Sequence, residues 1–255
     1  MIKSTFAVLF LIAAQCLPES SDAAENEGEI PRNRIDFTSV YFDTADTDRF
    51  TGILDYTRNL SSSSNLTVRA TYLDSRLGVS GGSGWGDTTV TYSYLPKAQM
   101  SVGPWIPRIV GSGISVTLPT GNEKQGLGLG STILTPFIGT RVRLSDSFSF
   151  TPTLAYAYST NQIITGKDLR VALLDLGLTW VGKTAWWASI YVGYIKDYEA
   201  DNTSYGGRLS LGKVFASGWG FSAHIIELES FRPGLLPPEN AQFNQVYELT
   251  LLYGF

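Results

Sequence analysis

Cysteine and histidine are nearly absent, with one of each in 255 residues, Cys16 and His224. Two such ligands are too few for a zinc or haem site, and a lone thiol forms no disulfide within the chain. Charge is scarce as well: 16% of residues are Asp, Glu, Lys or Arg, where about 25% is usual for a soluble domain. Lys and Arg number 19 against 23 Asp and Glu, a net charge of −4, and no basic surface points to nucleic acid. Long apolar runs are missing. After Phe6–Ala14, none exceeds the five residues Leu154–Tyr158. A spanning helix needs roughly 18–20 consecutive apolar residues, so a helical membrane domain is excluded. Aromatics, in contrast, supply 13% of the chain, which a disordered protein does not carry.

The first 23 residues read as an export signal, expected to be cleaved. Lys3 supplies the charged start, Phe6–Ala14 the apolar stretch, and Ser21-Asp22-Ala23 a small-x-small cleavage site. Cleavage there removes Cys16 and leaves no thiol in residues 24–255. Ala13-Ala14-Gln15-Cys16 has the outline of a lipoprotein site, but Gln15 stands where a small residue is needed, which argues against lipidation. Residues 24–32, with acidic groups from Glu25 to Glu29, read as a solvated tail. Residues 33–255 then form one domain.

That domain repeats a period of two. Between Ser147 and Ser159, one phase is Phe148, Phe150, Pro152, Leu154, Tyr156 and Tyr158, while the other holds only Ser, Thr and Ala. Strand side chains alternate between faces, so one face is apolar and the other small or hydroxyl-lined. Leu66, Val68, Ala70 and Tyr72 alternate with Thr67, Arg69 and Thr71, and Ile114, Val116 and Leu118 with Gly113, Ser115 and Thr117. Two architectures produce this. A soluble sandwich turns the apolar face inward, whereas a membrane barrel turns it toward lipid. The polar phase here lacks the Lys and Glu of a water-facing sheet. Phe148 to Tyr158 extends roughly 34 Å, about 24 Å of height at 45° tilt, which matches the apolar band of outer-membrane barrels. The expected fold is therefore all-β, a transmembrane antiparallel up-and-down β-barrel in the bacterial outer membrane.

Twelve strands are expected, near 33–42, 50–58, 65–73, 86–95, 108–118, 131–144, 147–159, 168–181, 185–196, 204–214, 218–229 and 242–255. Ten or fourteen stay open, because the link 96–107 is long on the side of the short turns. Ser145-Asp146, Gly182-Lys183 and Ala216-Ser217 are short turns, while 119–130, 160–167 and 230–241 are longer. Short turns on the periplasmic rim and longer loops outside is the arrangement of such barrels. Trp180, Trp186 and Trp219 flank the short turns, and Phe50, Tyr72, Tyr158, Tyr194 and Tyr205 lie near the other ends, as in two interfacial girdles. Outer-membrane lipid and lipopolysaccharide are the expected surroundings, and the C-terminal Phe255 is the expected handle for the barrel-assembly machinery.

Gly84-Trp85-Gly86-Asp87 opening a strand, followed by Gly113-Ile114-Ser115-Val116-Thr117-Leu118-Pro119-Thr120-Gly121, resembles the family named for the meta-pathway of phenol degradation. Its members are proposed outer-membrane transporters, often encoded with aromatic-degradation genes. The likeness spans about residues 84–160 and departs from the family pattern at Asn122, where an Asp is usual. It implies passage of small molecules, aromatic or otherwise hydrophobic, without fixing a solute.

With the apolar phase toward lipid, Arg69, Asp87, Arg141, Arg143, Asp175, Arg208, His224 and Glu248 fall to the lumen. There they either tune selectivity or pair across the lumen and plug it. Pro119, Thr120 and Gly121 form a turn, and Gly126, Gly128 and Gly130 would let the following loop bend into the mouth as a constriction. Ser222 and His224 share the inward phase, with Glu248 on the next strand, the residue types of a barrel-borne acyl hydrolase. The order and the luminal placement differ from that enzyme pattern, so no enzyme is expected. Asp43, Asp46 and Asp48, and Asp197, Glu199 and Asp201, lack the twelve-residue loop that makes a calcium motif. Gly81, Gly82, Gly84 and Gly86 lack the Lys-Ser/Thr of a phosphate loop. No metal or cofactor is expected. The function expected is a porin-like channel passing small molecules by passive diffusion.

Overall fold

The structure, a computed structural model, describes residues 32–43, 49–74, 83–95, 100–101, 107–122, 127–163, 166, 168–199, 201–228 and 244–255. The export signal, most of the tail, Asp46, Asp48, Gly81, Gly82 and Gly126 lie outside the described residues. Fourteen strands are formed: β1 (Asn33–Asp43), β2 (Arg49–Ser61), β3 (Ser64–Asp74), β4 (Ser83–Trp85), β5 (Thr88–Tyr94), β6 (Met100–Ser101), β7 (Pro107–Leu118), β8 (Ile133–Arg143), β9 (Phe148–Ser159), β10 (Arg170–Val181), β11 (Trp186–Asp197), β12 (Asn202–Val214), β13 (Trp219–Leu228) and β14 (Asn244–Gly254). Each wall strand pairs antiparallel with its sequence neighbour, and β1 pairs with both β2 and β14, so the sheet closes on itself. Closure removes the free edges that a spanning sheet cannot leave in lipid.

The wall has twelve strands. β4 and β5 pair with successive stretches of β3, Tyr72↔Trp85 and Arg69↔Thr89, and form one wall strand interrupted at Gly86-Asp87. This strand begins three residues earlier than the alternation predicts, because Ser83–Trp85 pairs as well. β6 pairs only with β7 and occupies the long link that left the strand count open.

The turns joining β2 to β3, β8 to β9, β10 to β11 and β12 to β13 lie at one rim together with both ends of the described wall. There Asn33 N donates to Phe255 O at 2.9 Å and Phe255 N returns the bond at 2.8 Å. This is the short-turn, periplasmic rim. Gly218 closes one of its turns at φ +85°, in the region where a side chain is strained, and its N–H donates to Phe215 O at 3.0 Å.

The alternation sets which face is which. In β9, Leu154 is 52% exposed on the outside, while Thr151 is 2% exposed within. The outer surface carries Leu, Ile and Val between two aromatic bands. Near the periplasmic rim, Trp219 stacks at 4.6 Å on Tyr253, which packs on Phe255, and Trp186 meets Phe221 edge-on at 5.7 Å. Near the other rim, Tyr72 meets Trp85, and Tyr194 meets Tyr205, each at 5.6 Å. A belt of aliphatic side chains between two such girdles matches a bilayer and has no use in water.

Candidate functional site in the barrel lumen

The inward face is divided along the barrel axis. Toward the extracellular end it carries an aliphatic cluster: Val40, Ile53, Ile133, Val171, Leu173, Ile195, Ile226 and Val246 are all buried and group with Phe137, Ala155 and Ala157, while Thr51, Thr71, Thr117, Asp197 and Ser204 are the buried polar residues at that end. One inward step nearer the periplasm, the residues turn polar. Ile53 gives way to Asp55, Leu173 to Asp175, Ile226 to His224, and Val246 to Glu248. The two-residue period predicts an inner face of small and polar residues, so the aliphatic cluster is a departure from it.

The polar half is divided again, around the circumference. On β5, β7 and β9, and on β8 between Thr135 and Gly139, the inward residues at mid-strand are Thr, Ser, Gly and Phe137. Their hydroxyls lace neighbouring strands: Thr89 to Thr117 at 2.9 Å and Thr91 to Ser115 at 2.8 Å. The opposite arc, from β10 through β14 to β3, holds the charge. Arg69 Nε and Nη2 donate to Asp55 Oδ1 and Oδ2 at 2.8 and 2.7 Å, with both side chains 9% exposed. Asp36 stands in register with Asp55 and pairs with Arg34 at 2.8 Å. A fork-to-fork pair of this kind is strong where water is excluded.

On β10 to β14, Arg208 is 2% exposed and lies 4.5 Å over the Tyr191 ring. Asp175, buried on β10, faces the same lumen. His224 bonds through Nε2 to Ser222 Oγ and through Nδ1 to Ser210 Oγ, each at 2.8 Å, with Trp187 alongside at 6.1 Å between ring centres. Glu248 is buried opposite His224 in the β13–β14 register. The second His nitrogen therefore meets Ser210 rather than a carboxylate, and all three groups face inward, away from lipid. A nucleophile, an oriented base and access to acyl chains are not brought together.

Three inward rings escaped the alternation. Tyr191, Trp187 and Phe137 each lie flat on a glycine directly across the ladder, Gly177, Gly212 and Gly113. A Cβ on these glycines would stand 2.2, 2.5 and 2.3 Å from ring atoms. The rings thus hug the wall, and only glycine leaves room for them. Asp36 and Asp55 were missed as well. Their signal was their place on the polar phase of strands whose outer face is Ile35, Phe37 and Leu54.

The remaining candidates sit at the ends. Arg141 is inward near the periplasmic end of β8. Arg143 is at the rim itself, 59% exposed and paired with Asp146 at 3.1 Å across the turn. Asp87 is at the β4–β5 break, and its carboxylate accepts from Gly121 N at 2.9 Å and Leu129 N at 2.8 Å. One side chain thereby ties both ends of the 119–130 loop. Thr120 Oγ1 accepts from Thr88 N at 2.9 Å and lies 3.2 Å from Gly86 O, while Pro119 is exposed beside it. Gly121 and Gly128 fit because any Cβ would strike Leu127 O or Asp87 Oδ1, and Gly130 turns at φ +74°. Leu127 and Leu129 are buried, and Leu129 joins the aliphatic cluster of the mouth. The two short glycine motifs of the sequence are therefore the two halves of one clasp. At the same rim, Lys196 donates to Asp201 at 2.6 Å and holds that exposed carboxyl below its usual range.

No protein-family model and no curated protein matches the sequence. Solved structures do match in shape. An outer membrane channel from Pseudomonas putida F1 superposes with a TM-score of 0.66 at 13% identity, over 89% of this chain and 96% of that one. The NanC porin follows at 0.62 and 11%, over 87% and 100%, and the KdgM porin at 0.60 and 10%, over 87% and 99%. The chain has the fold of outer-membrane channels and porins, and its exposed apolar belt fits a bilayer.

Proposed function

We propose that the chain is an outer-membrane channel through which small solutes with an apolar body diffuse, without cofactor or energy input. The observation that carries this reading is the aliphatic cluster near the extracellular end of the lumen, with the buried charges Asp55, Arg69, Asp175, Arg208 and Glu248 below it. An apolar solute sheds water against the cluster and is rehydrated or hydrogen-bonded below it. The clasped 119–130 loop, with Leu129 in the mouth, is its constriction. Asp55, Arg69, Asp175, Arg208, His224 and Glu248 are its selectivity groups. The likeness to the phenol meta-pathway family and the printed names of the channel and porin neighbours support the same reading.

A plugged barrel is the competing reading, favoured by how little of the inner face is exposed. A plug, however, satisfies its own polar groups. The hydroxyls of Ser149, Ser189 and Ser204 are buried without a hydrogen-bond partner among the described residues, and such groups call for water or a solute. Export by the leader 1–23 and recognition of Phe255 during assembly belong to the proposal.

Swelling of proteoliposomes in sodium benzoate and sodium gluconate tests it, since the anions share a charge and differ in apolar surface. Faster protein-dependent entry of benzoate is expected, with the preference reduced in Leu173→Asn. Absence of protein-dependent entry for both anions overturns the channel and leaves the plug.

A further inference from the structure

The outward face at the periplasmic rim holds a cation that none of the described residues neutralises. In β12 the inward positions are Ser204, Arg208, Ser210 and Gly212, so Lys213 projects outward. Its ammonium lies 5.1 Å from the centre of the Trp186 ring and 5.2 Å from that of Phe215. Trp186 in turn rests edge-on against Phe221, and Phe215 packs on Phe221 at 6.2 Å. Among the described residues, no carboxylate and no hydrogen-bond acceptor meets Lys213. Two outward cations near the other rim are different. Lys196 is paired with Asp201 at 2.6 Å, and Arg170 with Glu199 at 3.3 Å and Asp168 at 3.5 Å.

Two ring faces hold an ammonium by its charge but accept few of its N–H bonds, and they shield it from water. Lys213 stands on the outer wall among the aromatic side chains of the periplasmic girdle, the depth at which a barrel meets lipid headgroups. We propose that Lys213, caged by Trp186 and Phe215, is a binding site for the phosphodiester of an anionic phospholipid in the inner leaflet. Charge complementarity selects the occupant. An anionic headgroup supplies the missing negative charge, whereas a choline headgroup brings a second cation against the lysine. Lipopolysaccharide phosphates lie in the opposite leaflet, on the side of Lys196 and Arg170, both already paired. The site stands on the outer wall and does not depend on whether the lumen conducts.

The test titrates the folded full-length protein in detergent with phosphatidylglycerol, phosphatidylcholine or inorganic phosphate and reads retained lipid by native mass spectrometry. The wild type is expected to retain phosphatidylglycerol in preference to phosphatidylcholine. Lys213→Gln is expected to weaken that retention by about fivefold, the worth of one basic residue near an anionic lipid surface. Lys213→Arg and Lys183→Gln, the latter in an exposed turn of the same rim, are expected to retain the lipid. Heat-dependent gel migration checks that each variant is folded. Equal retention by Lys213→Gln and wild type overturns the site. So does equal retention of the two lipids by the wild type, loss in Lys213→Arg, or saturation by inorganic phosphate alone.

Discussion

Strands β5, β7, β8 and β9 meet the middle of the lumen with Thr, Ser, Gly and Phe137, whereas β12 to β14 and β1 to β3 meet it with Arg208, His224, Glu248, Asp36, Asp55 and Arg69. The first wall is a set of short, local bonds such as Thr91 to Ser115. Each costs little to lose, because a small hydroxyl is readily replaced or hydrated. The second wall is a set of long side chains that only work in company. Its charges are buried, and Arg69 depends on Asp55 of the neighbouring strand. A barrel that must be hollow yet stable can keep one side expendable for a passing solute and commit the other to holding the wall.

The comparison is most exposed to Arg69→Ala. It leaves the Asp55 carboxylate buried without its fork, and a loss of about 3–5 kcal/mol is expected in urea unfolding from lipid vesicles. Thr151→Ala on the other wall should cost about 1 kcal/mol or less. Equal effects would erase the distinction between the walls. The joint replacement Asp55→Leu with Arg69→Met should recover most of the loss, since it removes both charges together.

Gly177→Ala probes where an aromatic ring, rather than a charge, supports the wall. Its Cβ would stand 2.2 Å from Tyr191 Cε1, so the ring must leave the wall and uncover Arg208. A cost of about 1–3 kcal/mol by the same unfolding measurement is expected, with a changed near-ultraviolet circular dichroism signal. An unchanged spectrum would mean that the ring does not need the glycine.

Asp87→Asn carries the smallest expected effect. An amide offers one acceptor oxygen where the carboxylate serves both Gly121 and Leu129, so one bond is lost, at about 1 kcal/mol. The clasp should then open more often, read as faster limited proteolysis within 119–130. Cleavage at the wild-type rate would mean that Asp87 does not hold the loop.

Much of this is legible in the residues alone. The alternation of Phe148–Ser159 marks both faces of β9, and the short turns mark the rims, because period and turn chemistry are local. Register is not local. Nothing near Gly177 announces that Tyr191 lies across from it, and nothing near Arg69 announces Asp55 fourteen residues earlier. The aliphatic mouth left a trace that the two-residue period obscures: Val171-Ala172-Leu173-Leu174 and Ile225-Ile226 are apolar in both phases. Such a stretch fits neither a lipid face nor a hydroxyl face alone, and it marks strand ends whose inner side is dry. Asp87 read as a lumen group because its phase is inward. Its work as a loop tie depends on backbone N–H groups 34 and 42 residues away.

All of these readings rest on the outer face of the wall being the one in lipid. Residues 24–255 contain no cysteine, so single cysteines at the adjacent positions Leu154 and Ala155 can each carry a bimane label in vesicles containing brominated lipid. The account predicts strong quenching of the label at 154 and little at 155, because Leu154 is outward and Ala155 is 3% exposed on the inner face. Equal quenching at both positions, or quenching at 155 alone, would contradict it.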